Sequence, residues 1–186
     1  MPRPDPDTAG ILLAAGRSQR FGGNKLVSLY RGRPLWRWAA DALEEAGFAR
    51  LYIVVGAGSM IDVPRGWAKV ENPDAAQGMG TSIAAGVSAA RDHRRIVIAL
   101  SDMPMMTATH LRRIAAGEGP TFTMQHDGRA GPPAGFGPES FARLETLEGE
   151  RGARYLDHPG SSTVRPDDPR VLFDVDTRED LRVLHT

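Results

Sequence analysis

Cysteine is absent from the 186 residues, which removes disulfides and thiolate metal ligands but says nothing about compartment. Net charge is absent too: 23 basic side chains stand against 23 acidic ones. No global field therefore draws the chain toward nucleic acid or a membrane surface, and any anion it binds must be caught by a local cluster. No apolar run approaches the roughly 20 residues of a membrane span. The opening MPRPDPDTAG lacks the apolar stretch of a signal peptide. The expectation is a soluble cytoplasmic protein that binds neither nucleic acid nor membrane. Neither of the best-known glycine fingerprints, GxxxxGK[ST] and GxGxxG, is present.

What is present suffices for one core. At 41% hydrophobic residues, the chain is expected to form a single domain over 1–186, with 1–8 a disordered Pro/Asp tail. Apolar runs rich in β-branched residues (GILLAA, RLYIVVGAG, WAKVEN, RRIVIALSD, PTFTMQH) alternate with segments of helical period (PLWRWAADALEEAG, GTSIAAGVSAARD, TATHLRRIAAG). Strands separated by helices imply a mostly parallel sheet covered on both faces, a three-layer α/β/α architecture. In the first helical segment Pro34 suits the first turn, Gly47 suits the end, and Trp36 and Trp38 read as packing residues. Farther on, DGRAGPPAGFG reads as a loop, PESFARLETL and GARYLDH as helical, residues 157–169 as a mobile surface loop, and RVLFDVDTREDLRVL as strand, turn and helix.

Ligands of open parallel sheets sit beyond the carboxyl ends of the strands, so the turns there carry the chemistry. In LAAGRSQRFGGNKL, Ala15, Gly16, Gly22 and Gly23 let the backbone approach a ligand, while Arg17, Arg20 and Lys25 supply positive charge suited to phosphate. A solvated loop with incidental basic residues is the competing reading. In NPDAAQGMGTSIAAG, Thr81 and Ser82 occupy the first turn of a helix, either at an anion or base carbonyl or as plain caps. In ALSDMPMMT, Asp102 arrives just past a buried strand, either as a hard ligand for magnesium or as a turn former. Asp174 and Asp176 in LFDVDT share one face at period two, and Asp176 with Glu179 also fits a capping box.

These pieces, in order, resemble the MobA-like molybdenum cofactor nucleotidyltransferases, and within that family the molybdopterin cytidylyltransferases. LAAGRSQRFGGNKL is similar to AAGxSxRMGxxKLL with Phe21 for Met, NPDAAQGMGTSIAAGV to NPxxxxGxxxSxxAG, and SDMPMMT to DMPxxT. GERGARYL is similar to GDxGARxLL, and DVDTREDL to DIDTPEDL. The resemblance implies a Rossmann-like, glycosyltransferase-A-like fold. It also implies transfer of CMP from CTP to the phosphate of molybdopterin, with pyrophosphate leaving and Mg²⁺ required. It assigns catalysis to Arg20, Lys25 and Asp102 and the metal to Asp102 and Asp176. Nucleotide contacts fall to Leu13, Ala14, Ala15, Gly16, Arg17, Ser18, Gly22, Gly23, Lys25, Asn72, Gln77, Gly78 and Ser82. Two unpaired neighbouring carboxylates repel, so replacing either acid is expected to cost little stability.

Leu13 followed by Ala14, Ala15 and Gly16 lies between the cytidylyl and guanylyl signatures, while the acidic Asp174 and Asp176 follow the cytidylyl pattern, so CTP is expected over GTP. Pro132 and Pro133 stand where relatives commonly carry His-Pro near the acceptor, and Arg178 stands in place of Pro, without expected consequence. Two other readings stay open: a nucleotidyltransferase for another small phosphate, and a carrier delivering molybdenum cofactor to a client molybdenum oxidoreductase.

Overall fold

The computed structural model describes residues 2–16 and 18–184. The first strand, β1 (Thr8–Ala14), is buried along its whole length. The strand thus opens at Thr8, inside the stretch expected to be a tail. After the glycine-rich turn, β2 (Leu29–Tyr30) and β3 (Arg33–Pro34) form a small hairpin leading into α1 (Leu35–Ala46). There follow β4 (Arg50–Gly56), β5 (Ala68–Asn72), α2 (Met79–Ala89), β6 (Arg95–Leu100) and α3 (Ala108–Ala115). The chain closes through β7 (Thr121–Met124), β8 (Ala130–Phe136), α4 (Pro138–Leu144), β9 (Ser162–Val164) and α5 (Arg178–Val183).

The seven-stranded sheet has the order β5-β4-β1-β6-β8-β7-β9. Pairing is parallel throughout except on the two sides of β8, which runs against both β6 and β7. Alternation along β1 feeds two cores, as a strand buried on both faces must. Leu12 and Ala14 pack with α1 and α3 on one side. Ala9, Ile11 and Leu13 pack with α2 and α4 on the other. The close seat of α2 depends on Gly86, where a Cβ would lie 2.9 Å from Ile11 Cγ2. Helix α1 ends as its sequence predicts, with Gly47 in the left-handed region at φ 83°. Trp36 is buried, and Trp38 donates its indole N–H to the Tyr30 carbonyl.

Four expectations need correction. The Gly/Pro stretch read as a loop is β8, with Thr123 Oγ1 and Gln125 Nε2 donating to the carbonyls of Pro133 and Pro132. Side chains thus bond the strand where two prolines have no N–H to offer. Residues 157–169 are not all loop, since β9 adds to the sheet edge beside β7. GARYLDH forms one 3-10 turn, Ala153–Tyr155. The final unit has no strand: a 3-10 turn at Pro169–Leu172 leads into extended chain, from which the Val175 N–H donates to the Asp102 carbonyl. A single cross-chain bond is no ladder, and the capping box that starts α5 pairs Thr177 with Asp180.

Candidate active site

Lys25 sits on a 3-10 turn, Lys25–Val27, that ends the glycine-rich segment. Its backbone N–H donates to Ser18 Oγ at 3.3 Å, with Ser18 left-handed at φ 51°. Gly22 is also left-handed, at φ 71°. These two positions fold the segment back so that Lys25 points to the end of the sheet rather than to solvent. Asp102 leaves the carboxyl end of β6, and Asp176 comes from the extended chain before α5. The Asp176 backbone N–H is fixed by Asp180 Oδ2 at 3.0 Å. Positions 25, 102 and 176 meet there: Lys25 Nζ lies 2.8 Å from Asp102 Oδ2 and 3.1 Å from Asp176 Oδ1. Arg20 Nη1 reaches Asp176 Oδ2 at 3.1 Å.

Burial of the Lys25 ammonium opposes its charge, but Asp102 and Asp176 overcome that and raise its pKa above that of a free lysine. Asp174 stands close enough for burial and the charges of Asp102 and Asp176 to raise its own carboxyl.

A divalent cation fits this pair of acids on one observation. Asp102 Oδ1 is buried and has no hydrogen-bond partner among the described residues, a hard oxygen donor left over in a site that already gathers cations. Among the described residues no group of three or more His, Asp or Glu forms a metal cage. Two carboxylates with substrate phosphates completing the shell is the arrangement magnesium favours.

Around this cluster the crevice divides into three joined cavities. The central one, about 260 Å³, holds Lys25, Asp102, Asp176, Arg20, Ser82 and Glu150. On the β5 side a cavity of about 460 Å³ is lined by Ala14, Ala15, Gly16, Gly58, Met60 and Pro73, and it shares Ala15, Gly16 and Ala75 with the centre. On the β8 side a cavity of about 240 Å³ has walls of Leu13, Ile83, Ile98, Leu100, Phe122 and Phe136, and it shares Met79 and Glu150 with the centre.

Not every residue named from the sequence lines these spaces. Leu13 faces the β8-side cavity and not the one shared by Ala14 and Ala15, because alternate residues of a strand point to opposite faces. Asn72 is buried behind the site, where its amide donates to Thr81 Oγ1 and Ser82 Oγ at 2.9 and 3.0 Å. Gln77 is exposed and donates to Asp74 Oδ1. Gly78, the residue before α2, does line the central cavity, and neither the Thr81 nor the Ser82 hydroxyl caps that helix's N–H groups: Thr81 Oγ1 donates to the carbonyls of Asp74 and Gly78. Gly23 lies beside Arg178. Arg17 lies outside the described residues. Arg178 is not without consequence, since its Nε donates to the Phe21 carbonyl and its guanidinium lies 5.6 Å from the Phe21 ring.

Sequence reasoning passed over Glu150 and Met79, which border two cavities. Their signal was Gly78 and Gly80. A Cβ at Gly78 would lie 2.3 Å from the Gly149 carbonyl carbon, and one at Gly80 would lie 2.7 Å from the Glu148 carbonyl oxygen. With no side chains in the way, the Gly80 N–H donates to the Gly149 carbonyl at 2.8 Å and holds the 148–150 segment against the start of α2. No helix among the described residues is long and apolar enough to cross a membrane.

The chain and its fold are similar to those of known proteins. Residues 10–163 match the family model of the MobA-like NTP transferase domain. Over 120 residues the chain is 36% identical to nicotine blue oxidoreductase of Paenarthrobacter nicotinovorans, covering 62% of this chain and 59% of that one. It is 28% identical to the purine catabolism protein PucB of Bacillus subtilis over 94% of both chains. The structure of Rv0371c from Mycobacterium tuberculosis superposes with a TM-score of 0.80 at 28% identity, covering 99% of this chain and 98% of that one. The same Mycobacterium protein has been solved in complex with manganese. With the family model spanning most of the sheet and the turns that carry Gly16, Lys25, Gly78 and Asp102, the chain belongs to the MobA-like NTP transferase family and is a nucleotidyltransferase.

Proposed function

We propose that this protein transfers CMP from CTP to the terminal phosphate of molybdopterin, releasing pyrophosphate. The observation that carries the reading is the Lys25 ammonium held between Asp102 and Asp176 at the centre of the crevice. One acceptor phosphate oxygen forms a bond to the α-phosphorus. The bond from that phosphorus to the bridging oxygen breaks, and its electron pair leaves on pyrophosphate. Two anions must approach and charge builds on the leaving group, so the protein's task is positioning and neutralisation. No side chain acts as nucleophile. Lys25 and Arg20 bind the triphosphate, with Lys25 balancing the charge on the phosphoryl oxygens. Asp102 and Asp176 hold magnesium, which when bound supplies positive charge to the phosphates and orients them. The β5-side cavity, with Ala14 and Ala15, suits the base and ribose, and the β8-side cavity suits the body of the acceptor. That the Mycobacterium relative has been solved in complex with manganese supports the use of a divalent cation.

CTP is preferred to GTP because Asp174 and Asp176 keep the acidic ending of cytidylyl relatives. The test is pyrophosphate release with purified molybdopterin, magnesium and each of the four triphosphates. CTP should be fastest, and Ala15→Gly should shift the ratio toward GTP. Faster release from GTP would overturn the choice of nucleotide, and release with another small phosphate alone would overturn the acceptor. A carrier without transfer is disfavoured because Arg20, Lys25, Asp102 and Asp176 meet in one crevice, a charge set that storage of a cofactor does not need.

A further inference from the structure

Among the described residues the large exposed hydrophobic side chains are Leu29, Met60, Met79, Tyr155 and Val183. Single exposed apolar residues are ordinary. These are not scattered, however: Met60 lines the β5-side cavity, and Met79 and Tyr155 line the β8-side one. Tyr155 leaves 62% of its surface open to solvent, yet it is firmly placed. It sits in the 3-10 turn Ala153–Tyr155, closed by Tyr155 N–H to the Gly152 carbonyl at 3.1 Å and Leu156 N–H to the Ala153 carbonyl at 3.2 Å. His158 Nε2 donates to the same Ala153 carbonyl at 2.8 Å. The His158 ring packs on Phe122 and Phe136, two walls of the cavity. The ring itself is oriented by Arg154, whose Nη2 donates to the Tyr155 hydroxyl at 3.0 Å and whose guanidinium lies 4.9 Å from the ring centroid.

An exposed ring oriented by Arg154 at the rim of an apolar cavity that adjoins the Lys25–Asp102 centre is a stacking surface. From this we infer that Tyr155 is a specificity-determining residue for the acceptor: it stacks on a planar heteroaromatic ring, and Arg154 holds it in place to do so. The inference rests on the nucleotidyl-transfer reading above and deepens it at the acceptor. Chemistry on the page narrows the class. A sugar phosphate would set most of its hydroxyls against Leu13, Ile83, Ile98 and Phe136, with charged partners only from Glu150 and Arg154, and unpaired polar groups are costly to bury. A purely aliphatic chain would use the apolar walls but not the oriented ring. A flat ring uses both.

The probe is molybdopterin, titrated into the intact protein, with magnesium and CTP titrated separately. Tyr155→Ala and Tyr155→Leu should each weaken molybdopterin binding about tenfold, Tyr155→Phe should stay within about twofold of the unmodified protein, and CTP affinity should be unchanged in all three. A merely structural role would move both ligands together. Equal molybdopterin binding by Tyr155→Ala, or rescue by Leu as complete as by Phe, overturns the stacking role. If the unmodified protein binds CTP with magnesium but no molybdopterin, the inference falls and nucleotidyl transfer stands. If it binds no triphosphate, the reading beneath falls as well.

Discussion

Lys25 and Asp102, 77 positions apart in the chain, form an ion pair at 2.8 Å with the lysine side chain only 9% exposed. Because the same ammonium also reaches Asp176, it occupies the space that a cation bridging the two carboxylates needs. Metal and ammonium then compete until a triphosphate offers Lys25 other oxygens. Lys25→Met should therefore bind Mn²⁺ about tenfold more tightly than the unmodified protein when no nucleotide is present, while transfer slows about 100-fold or more, the scale of losing one preorganised charge. Manganese titration by electron paramagnetic resonance reads the first effect. Unchanged or weaker manganese binding would refute the competition.

The two acids should differ in stability although the proposed transfer uses both. The expectation that either is removed at little cost assumed an unpaired, repelling pair, and Lys25 lies between them. The Asp102 side chain is 20% exposed and that of Asp176 is 43% exposed. Asp102→Asn leaves a buried ammonium short of its nearer partner and should cost about 1–3 kcal/mol. Asp176→Asn, at a half-open site, should cost under about 1 kcal/mol. Urea unfolding of both variants beside a pyrophosphate assay separates the effects, and equal stability losses would contradict this order.

Gly78 should tolerate no side chain. At φ 127° it is in the region that favours glycine, and an added Cβ would strike the Gly149 carbonyl. Gly78→Ala is expected to lose about 1–3 kcal/mol through backbone strain and to push the 148–150 segment off the β8-side cavity. Gly16→Ala, whose Cβ would meet nothing within 4 Å, should melt with the unmodified protein. Matching melts for all three proteins would show that the close approach does not persist in solution.

His110 links acid stability to the β7–β8 side of the sheet. Its Nε2 is 2.8 Å from Thr123 Oγ1, which in turn donates to the Pro133 carbonyl at 2.7 Å. Burial, with a smaller push from Arg113 that Asp167 opposes, lowers its pKa to about 4. An unfolded histidine takes a proton near pH 6.5, so between about 6.5 and 4 the unfolded chain binds the extra proton and stability falls as pH falls. The full effect is on the order of 3 kcal/mol and is complete below pH 4. His110→Gln should flatten the dependence of the urea midpoint on pH across that window. An unchanged slope would mean that another group carries it.

Much of the molecule was legible before folding. Local rules sufficed where each signal lies within a few neighbouring residues: the alternation of strands and helices, the end of α1 at Gly47, the basic glycine-rich turn, and Asp102 at the end of a strand. The prolines of β8 and the three residues of β9 were illegible because their strand character comes from partners across the sheet rather than from their own propensity. The last acidic segment read as a strand because its β-branched pattern is local, while the absence of a neighbour to pair with is not. That Leu13 lines the β8-side cavity while Ala14 and Ala15 line the other was illegible, because spacing in sequence does not say which face of β1 borders which cavity. The meeting of Lys25, Asp102 and Asp176, the ammonium between two acids, and the seat of Glu150 and Tyr155 beside them were decided only by tertiary packing. Residues as far apart in sequence as 25 and 176 share a site only after the sheet order and the close approaches at Gly78 and Gly80 bring their chain segments together.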